Sequence, residues 1–194
     1  MGTIKTTNIE TITGSGTLTL GQSGETITIP SGCTITNNGT QTGFGGTNSP
    51  RFLATKQTSS QSLSNGAWTK LTFDNEVYDV GSCYASDRFT VPSGEAGLYQ
   101  FFTNCMFDNS LPTDTDYVVI AFHKNGASVG DNQSDFRNTG GGYSNSKFLA
   151  ITLDLSVGDY VESYGVIGGS GTLSAANSSG DKQRTYFGGY KLIT

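Results

Sequence analysis

The chain has a single histidine, His123, and general acid–base chemistry would have to start there. It ends an apolar run and stands beside Lys124 at a hairpin, which suits a strand-end surface or interface residue better than a catalyst. Two carboxylate pairs, Asp114/Asp116 and Asp131/Asp135, lie close in sequence. Paired carboxylates cleave glycosidic bonds when they flank a substrate at ~5–9 Å, and they also ligate calcium. Neither pair carries the full ligand pattern of a calcium loop, so both read as turn residues and no cofactor is expected. Three cysteines, Cys33, Cys83 and Cys105, cannot all pair within one chain, and their spacing matches no zinc pattern. Cys105 and Cys33 share parity with apolar neighbours and read as inward-pointing, whereas Cys83 reads as a loop residue open to solvent. Three free thiols and no enzymatic activity are the expectation.

These residues have to be positioned by strands. No 11-residue window has helical apolar periodicity, while glycine and β-branched residues are abundant. Eleven basic residues stand against 16 acidic ones, a net charge of -5. No Lys/Arg cluster offers the footprint of a nucleic-acid binder. No run approaches the ~18–20 apolar residues of a membrane helix, so membrane insertion is not expected. The first residues lack a signal-peptide core, so export by the ordinary route is not expected either.

Residues 1–47 read as a β-rich attachment or trimerisation segment. Ile9–Ile12, Gly16–Leu20, Glu25–Ile29 and Cys33–Thr36 each place an aliphatic at every second position, between Gly and Pro-Ser-Gly breaks. Strands this thin cannot bury a core alone; stacking in a slender solenoid, winding around neighbouring chains, or serving as a glycine-rich arm all remain open. Residues 48–194 read as an antiparallel sandwich of jelly-roll type. The segments are Arg51–Ala54, Trp68–Val77, Arg88–Pro92, Gly97–Phe107, Tyr117–His123, Lys147–Leu155, Tyr160–Ile167 and Arg184–Ile193. Gln57–Leu63 and Val166–Gly180 read as loops. Lys124-Asn125-Gly126 signals a tight hairpin. Period-two burial places Tyr99, Phe101, Thr103 and Cys105 in the core and turns Gln100 and Phe102 outward. Phe187 falls inward, with Tyr186 and Tyr190 on the opposite side. Leaving such aromatics in water would forgo ~1.5–3 kcal/mol each, so further copies of the chain are expected to cover them, with covering loops as the alternative.

The order of motifs in the second unit resembles the C1q-like head domain and, more distantly, the tumour necrosis factor-like domain. The resemblance rests on Phe52-Leu53-Ala54, Phe73-Asp74-Asn75-Glu76-Val77, and Phe89-Thr90 with Pro92 followed by Gly97, Tyr99 and Phe101. It continues through Asn125-Gly126, Leu153-Asp154-Leu155 to Gly158-Asp159-Tyr160-Val161, and Phe187-Gly188-Gly189-Tyr190-Lys191-Leu192. It implies a homotrimer with Gln100, Phe102, Tyr186 and Tyr190 at its axis, and it admits calcium near that axis. It also implies ligand-binding loops, whose candidate residues are Tyr84, Asp114, Asp116, Asp131, Asp135 and Tyr143. No collagen-like stalk precedes the domain, and Gly81–Ser86 lengthens one loop. Thr28-Ile29-Pro30-Ser31-Gly32-Cys33-Thr34-Ile35 and the Thr36-Asn37-Asn38-Gly39-Thr40 after it are similar to a segment of tailed-phage structural proteins. That likeness implies a virion protein, either a tail-fibre component or a capsid decoration. In it residues 1–47 attach to other virion proteins while the head takes part in host attachment, binding a surface glycan or protein. A purely stabilising cement protein and a non-viral C1q-like lectin or signalling module are the alternatives.

Overall fold

The computed structural model describes residues 17–36, 38, 48–107, 115–135, 145–169, 173–175 and 183–192. The chain divides into two compact units, Met1–Phe44 and Gly45–Thr194. In the first, residues 17–36 contain no strand. Two turns organise them: Glu25 N–H donates to Gln22 O (3.0 Å) and Cys33 N–H to Pro30 O (3.2 Å). The expected strands at Gly16–Leu20, Glu25–Ile29 and Cys33–Thr36 are therefore corrected over their described residues, and Ile9–Ile12 lies outside these. The reason is the one the pattern contains. Leu18, Leu20, Ile27, Ile29 and Ile35 stay exposed, and two or three aliphatics per segment recruit no facing layer.

The described part of the second unit forms β1 (Arg51–Thr55), β2 (Gln61–Leu63), β3 (Thr69–Lys70), β4 (Asn75–Val80) and β5 (Tyr84–Ala85). There follow β6 (Arg88–Thr90), β7 (Gly97–Phe107), β8 (Thr115–Lys124) and β9 (Ala127–Asp135), and then β10 (Asn145–Leu155), β11 (Tyr160–Gly169), β12 (Leu173–Ala175) and β13 (Tyr186–Lys191). One sheet runs β2-β12-β7-β13-β1-β4, with β10 also paired to β7. The other runs β5-β6-β11-β8-β9, with β3 also on β11. Strands far apart in sequence pair antiparallel, β1 with β13 and β6 with β11, and the chain passes between sheets as a jelly roll requires. The all-β jelly-roll sandwich expected from the sequence is the architecture observed.

β7 shows why. Tyr99, Phe101, Thr103, Cys105 and Phe107 are fully buried on its inner face. Phe187 of β13 meets Phe52 edge-on (4.8 Å between ring centres) and also packs on Phe122 (5.8 Å) and Phe73 (5.9 Å). Phe52 in turn stacks on Tyr84 at 4.7 Å. One polar contact crosses this apolar layer, between the Thr103 and Ser163 hydroxyls (3.0 Å). The aromatic rings need glycine opposite them. A Cβ on Gly189 would lie 2.5 Å from Phe101 Cδ1 and 3.1 Å from the Gln100 carbonyl, and neither a buried ring nor backbone can yield cheaply. Gly189→Ala should therefore destabilise the fold by ~1–3 kcal/mol, the usual cost of overpacking, measurable by urea unfolding.

Several segments differ from expectation. Gln57–Leu63 is not all loop, because β2 pairs with β12. Trp68–Val77 is not one strand. Asp74 interrupts it by accepting the Gln57 N–H (2.6 Å), the Thr58 N–H (3.0 Å) and the Thr58 hydroxyl. Burial alone would raise the Asp74 pKa, yet these bonds hold it at about 2. The Asn125-Gly126 hairpin forms as expected, with φ of +52° and +83°, the left-handed pair that a primed turn needs.

All three cysteines are free, and Cys105 is in the core as expected. The other two expectations are reversed. Cys33 is exposed because its segment builds no core. Cys83 is buried, its thiol donating to Asp79 Oδ1 (3.1 Å). Burial, reinforced by Asp79, pushes the Cys83 thiol above its ordinary range, and burial pushes Cys105 up to about 12. Since the thiolate is the reactive form, a disulfide reagent should titrate one thiol in the native protein and three in denaturant. Two fast-reacting native thiols would contradict the burial of Cys83.

Candidate functional site

The sandwich presents two unlike outer faces. On the β7 sheet, Gln100 and Phe102 point away from the core with Tyr186 and Tyr190, since Phe102 pairs with Gly188, Gln100 with Tyr190 and Asn104 with Tyr186. Phe102 lies 6.1 Å from Tyr186 and 6.4 Å from Tyr190, ring centre to ring centre. Gly188 makes room for it, because a Cβ there would sit 2.5 Å from Phe102 Cζ. β10 continues the face, with Ala150 paired to Phe102 and Phe148 to Asn104. Phe148, Leu98 and Tyr78 are exposed. Phe102, Tyr186 and Tyr190 are half-buried, and together with the exposed groups they form a continuous apolar face.

The candidate ligand residues are not brought together. Tyr84, expected on an exposed loop, is corrected: it is buried, stacked on Phe52, and its backbone N–H donates to Asp79 Oδ2 (3.2 Å). The Gly81–Asp87 segment folds inward as β5, and Asp87 Oδ1 accepts the Phe73 N–H (2.7 Å), so this loop is a structural hairpin. Asp131 and Asp135 are not loop residues either but strand residues of β9, opposite Ala121 and Tyr117. Four residues along a strand separate them by about 13 Å, too far to act on one ion. Asp116 is exposed on β8. Asp114 and Tyr143 lie outside the described residues. Among the described residues, no group of three or more His, Cys, Asp or Glu side chains could hold a metal.

The outer face of the β11 sheet holds a cluster that sequence reasoning missed. Val161, Ser163 and Ile167 of β11 point inward and are buried, so Tyr160, Glu162 and Tyr164 point outward. Register brings His123 of β8 beside Glu162 and Lys70 of β3 beside Tyr164. Glu162 is buried and accepts at Oε1 from Lys70 Nζ (2.7 Å) and Arg88 Nε (2.8 Å), and at Oε2 from the Tyr164 hydroxyl (3.2 Å). Arg88 also lies over the Tyr160 ring at 4.0 Å, a cation–π contact. Of the two expectations for His123, a strand-end surface or an interface residue, the first is corrected, since it is buried within the chain. Its ring stacks on Tyr164 at 4.0 Å, Trp68 packs against it at 5.5 Å, and its buried Nε2 has no hydrogen-bond partner. Burial pushes the His123 pKa below its ordinary value, against the pull of Glu162. The pattern was faintly readable: Tyr160, Glu162 and Tyr164 alternate, but their partners come from β3, β6 and β8.

No family model and no curated protein matches the chain. Among the solved structures that match is murine APRIL, in a crystal structure at pH 8.0, with a TM-score of 0.49 and 16% identity. The match covers 73% of this chain and 98% of that one and concerns the fold alone. The expected virion context is corrected at this point. None of the comparisons supports a phage, tail-fibre, capsid-decoration or host-attachment role, and the likeness to APRIL concerns the fold alone. The segment that carried that context is short and low in complexity, and residues 28–36 form exposed coil and turn.

Proposed function

We propose that the chain is a non-catalytic recognition module, lectin-like or signalling in kind, that works as a homotrimer in the C1q-like manner. The observation that carries this reading is the outer face of the β7 sheet, where Phe102 sits between Tyr186 and Tyr190 with Leu98, Tyr78 and Phe148 exposed around it. Burying this face against two further copies removes apolar surface from water at ~25 cal/mol per Å², and a heterologous contact repeated about a three-fold axis closes into a trimer. Residues 1–47 serve as its attachment or trimerisation segment. Sedimentation at micromolar concentration tests the reading. A species of three chain masses is expected, and Phe102→Lys should convert it to monomer with its fold intact by circular dichroism. A single 20.4 kDa species in the unmutated protein would overturn it.

A further inference from the structure

The outer face of the β11 sheet has its own chemistry. Arg88 spends only Nε on Glu162. Its guanidinium is fixed from two sides, by that ion pair and by the Tyr160 ring at 4.0 Å, while its side chain remains 42% exposed. A guanidinium held at Nε, stacked on a ring and this exposed is a preorganised donor for a planar carboxylate. Lys70 beside it leaves the cluster one positive charge in excess, two cations on one carboxylate.

From Arg88 the contacts run through Glu162 and Tyr164 to His123 and end at Trp68. Arg88, Glu162 and His123 sit on β6, β11 and β8, adjacent in that order, so their backbones span about 10 Å, two strand spacings, while Trp68 precedes β3, which also pairs with β11. Trp68 is 43% exposed. It covers His123, which is 92% buried by an exposure of 8% and whose Nε2 lacks the partner that buried polar atoms normally have. An aromatic plate, an orphaned buried imidazole nitrogen beside it and a guanidinium on the same sheet face call for a ligand with an apolar C–H face, hydroxyls and a carboxylate.

We propose that this face binds an acidic saccharide: the carboxylate engages Arg88, with Lys70 in support, and the sugar ring packs on Trp68. A hydroxyl supplies the partner for His123 Nε2 as the indole shifts onto the sugar. The inference deepens the lectin-like reading above by naming its ligand class, and it does not depend on the trimer.

Trp68 is the only tryptophan in the chain, so its fluorescence reports on the site without labelling. Titrating the full-length protein with glucuronate should give a saturable change in emission. Glucose, which lacks the carboxylate, and acetate, which lacks the ring, should each require at least ~10-fold more ligand, the loss of about one charge-assisted bond. Arg88→Gln should weaken glucuronate at least ~10-fold with the sedimenting species unchanged. Arg88→Lys keeps a cation for Glu162, so it is the second variant should Arg88→Gln fail to fold, and it too should lose affinity because the guanidinium is gone. No saturable response to glucuronate, equal responses to glucuronate and acetate, or an undiminished response in both folded variants would overturn the proposal. A glucuronate response from a 20.4 kDa species would overturn the trimer and leave the sugar site standing.

Discussion

Phe187→Ala is expected to cost ~3–5 kcal/mol, the range for truncating a buried aromatic. The side chain is fully buried, and its ring contacts Phe52, Phe73, Tyr84, Phe101 and Phe122, which come from both sheets. Four of these neighbours are held by strands, and Phe73 by its N–H to Asp87, so they cannot collapse into the space together and the cavity term adds to the lost transfer energy. Against a total stability of ~5–15 kcal/mol, the melting temperature should fall by roughly 6–20 °C for a domain of this size. Differential scanning calorimetry at fixed protein concentration measures it. A change under 1 kcal/mol would mean that Phe187 is not the hub joining the two sheets.

The second large effect is on acid stability, centred on Glu162. Burial by itself would raise the Glu162 pKa, but the bonds from Lys70 and Arg88 outweigh it and hold the carboxyl below its ordinary 4.5. A depressed carboxyl stabilises the fold above its unfolded pKa, and that contribution is lost as pH falls through the folded value. His123 adds an earlier loss. Its folded pKa lies below the ordinary 6.5 because of burial, so below pH 6.5 the unfolded chain takes up a proton that the folded chain refuses. The groups facing His123 are the Glu162 carboxylate and the Tyr164 and Trp68 rings. Stability should thus decline first below about pH 6.5 and more steeply below about pH 4.5. Glu162→Gln should make the second phase shallower, the remainder belonging to other depressed carboxyls such as Asp74, and cost about 1–3 kcal/mol at pH 7, since Lys70 and Arg88 remain partly solvated. His123→Phe should remove the first phase. Urea unfolding across pH 3–8 follows both, and a wild-type pH profile in Glu162→Gln would contradict this account.

What could be read from residues alone follows from how locally each feature is encoded. The inner face of β7 and the Leu149–Leu155 alternation of β10 are period-two patterns written within one strand, and so were legible. So was the Asn125-Gly126 turn, because only a few residues tolerate its φ angles. Tyr84 was misjudged because nothing in Gly81–Asp87 shows that Asp79 and Asp87 spend their carboxylates on backbone N–H groups and pull the segment inward. Lys70, Arg88, His123 and Glu162 lie on four strands and Trp68 just ahead of the first of them, with Glu162 94 positions after Trp68. Their meeting is a property of register between strands, which composition does not record. At the N-terminus the alternation was real but the inference was not, because a pattern of half-buried positions needs a second layer to bury them.

The two outer faces lie on opposite sides of a sandwich whose sheets pack about 10 Å apart. Joining copies through the aromatic face would therefore leave every Arg88–Trp68 row turned outward and at a fixed separation. A single sugar contact of this size is weak, but tethered sites act at a high effective concentration, and joint engagement can exceed single-site affinity by ~10²–10⁴. Such a module would respond to how densely acidic sugars are displayed on a surface rather than to their concentration in solution.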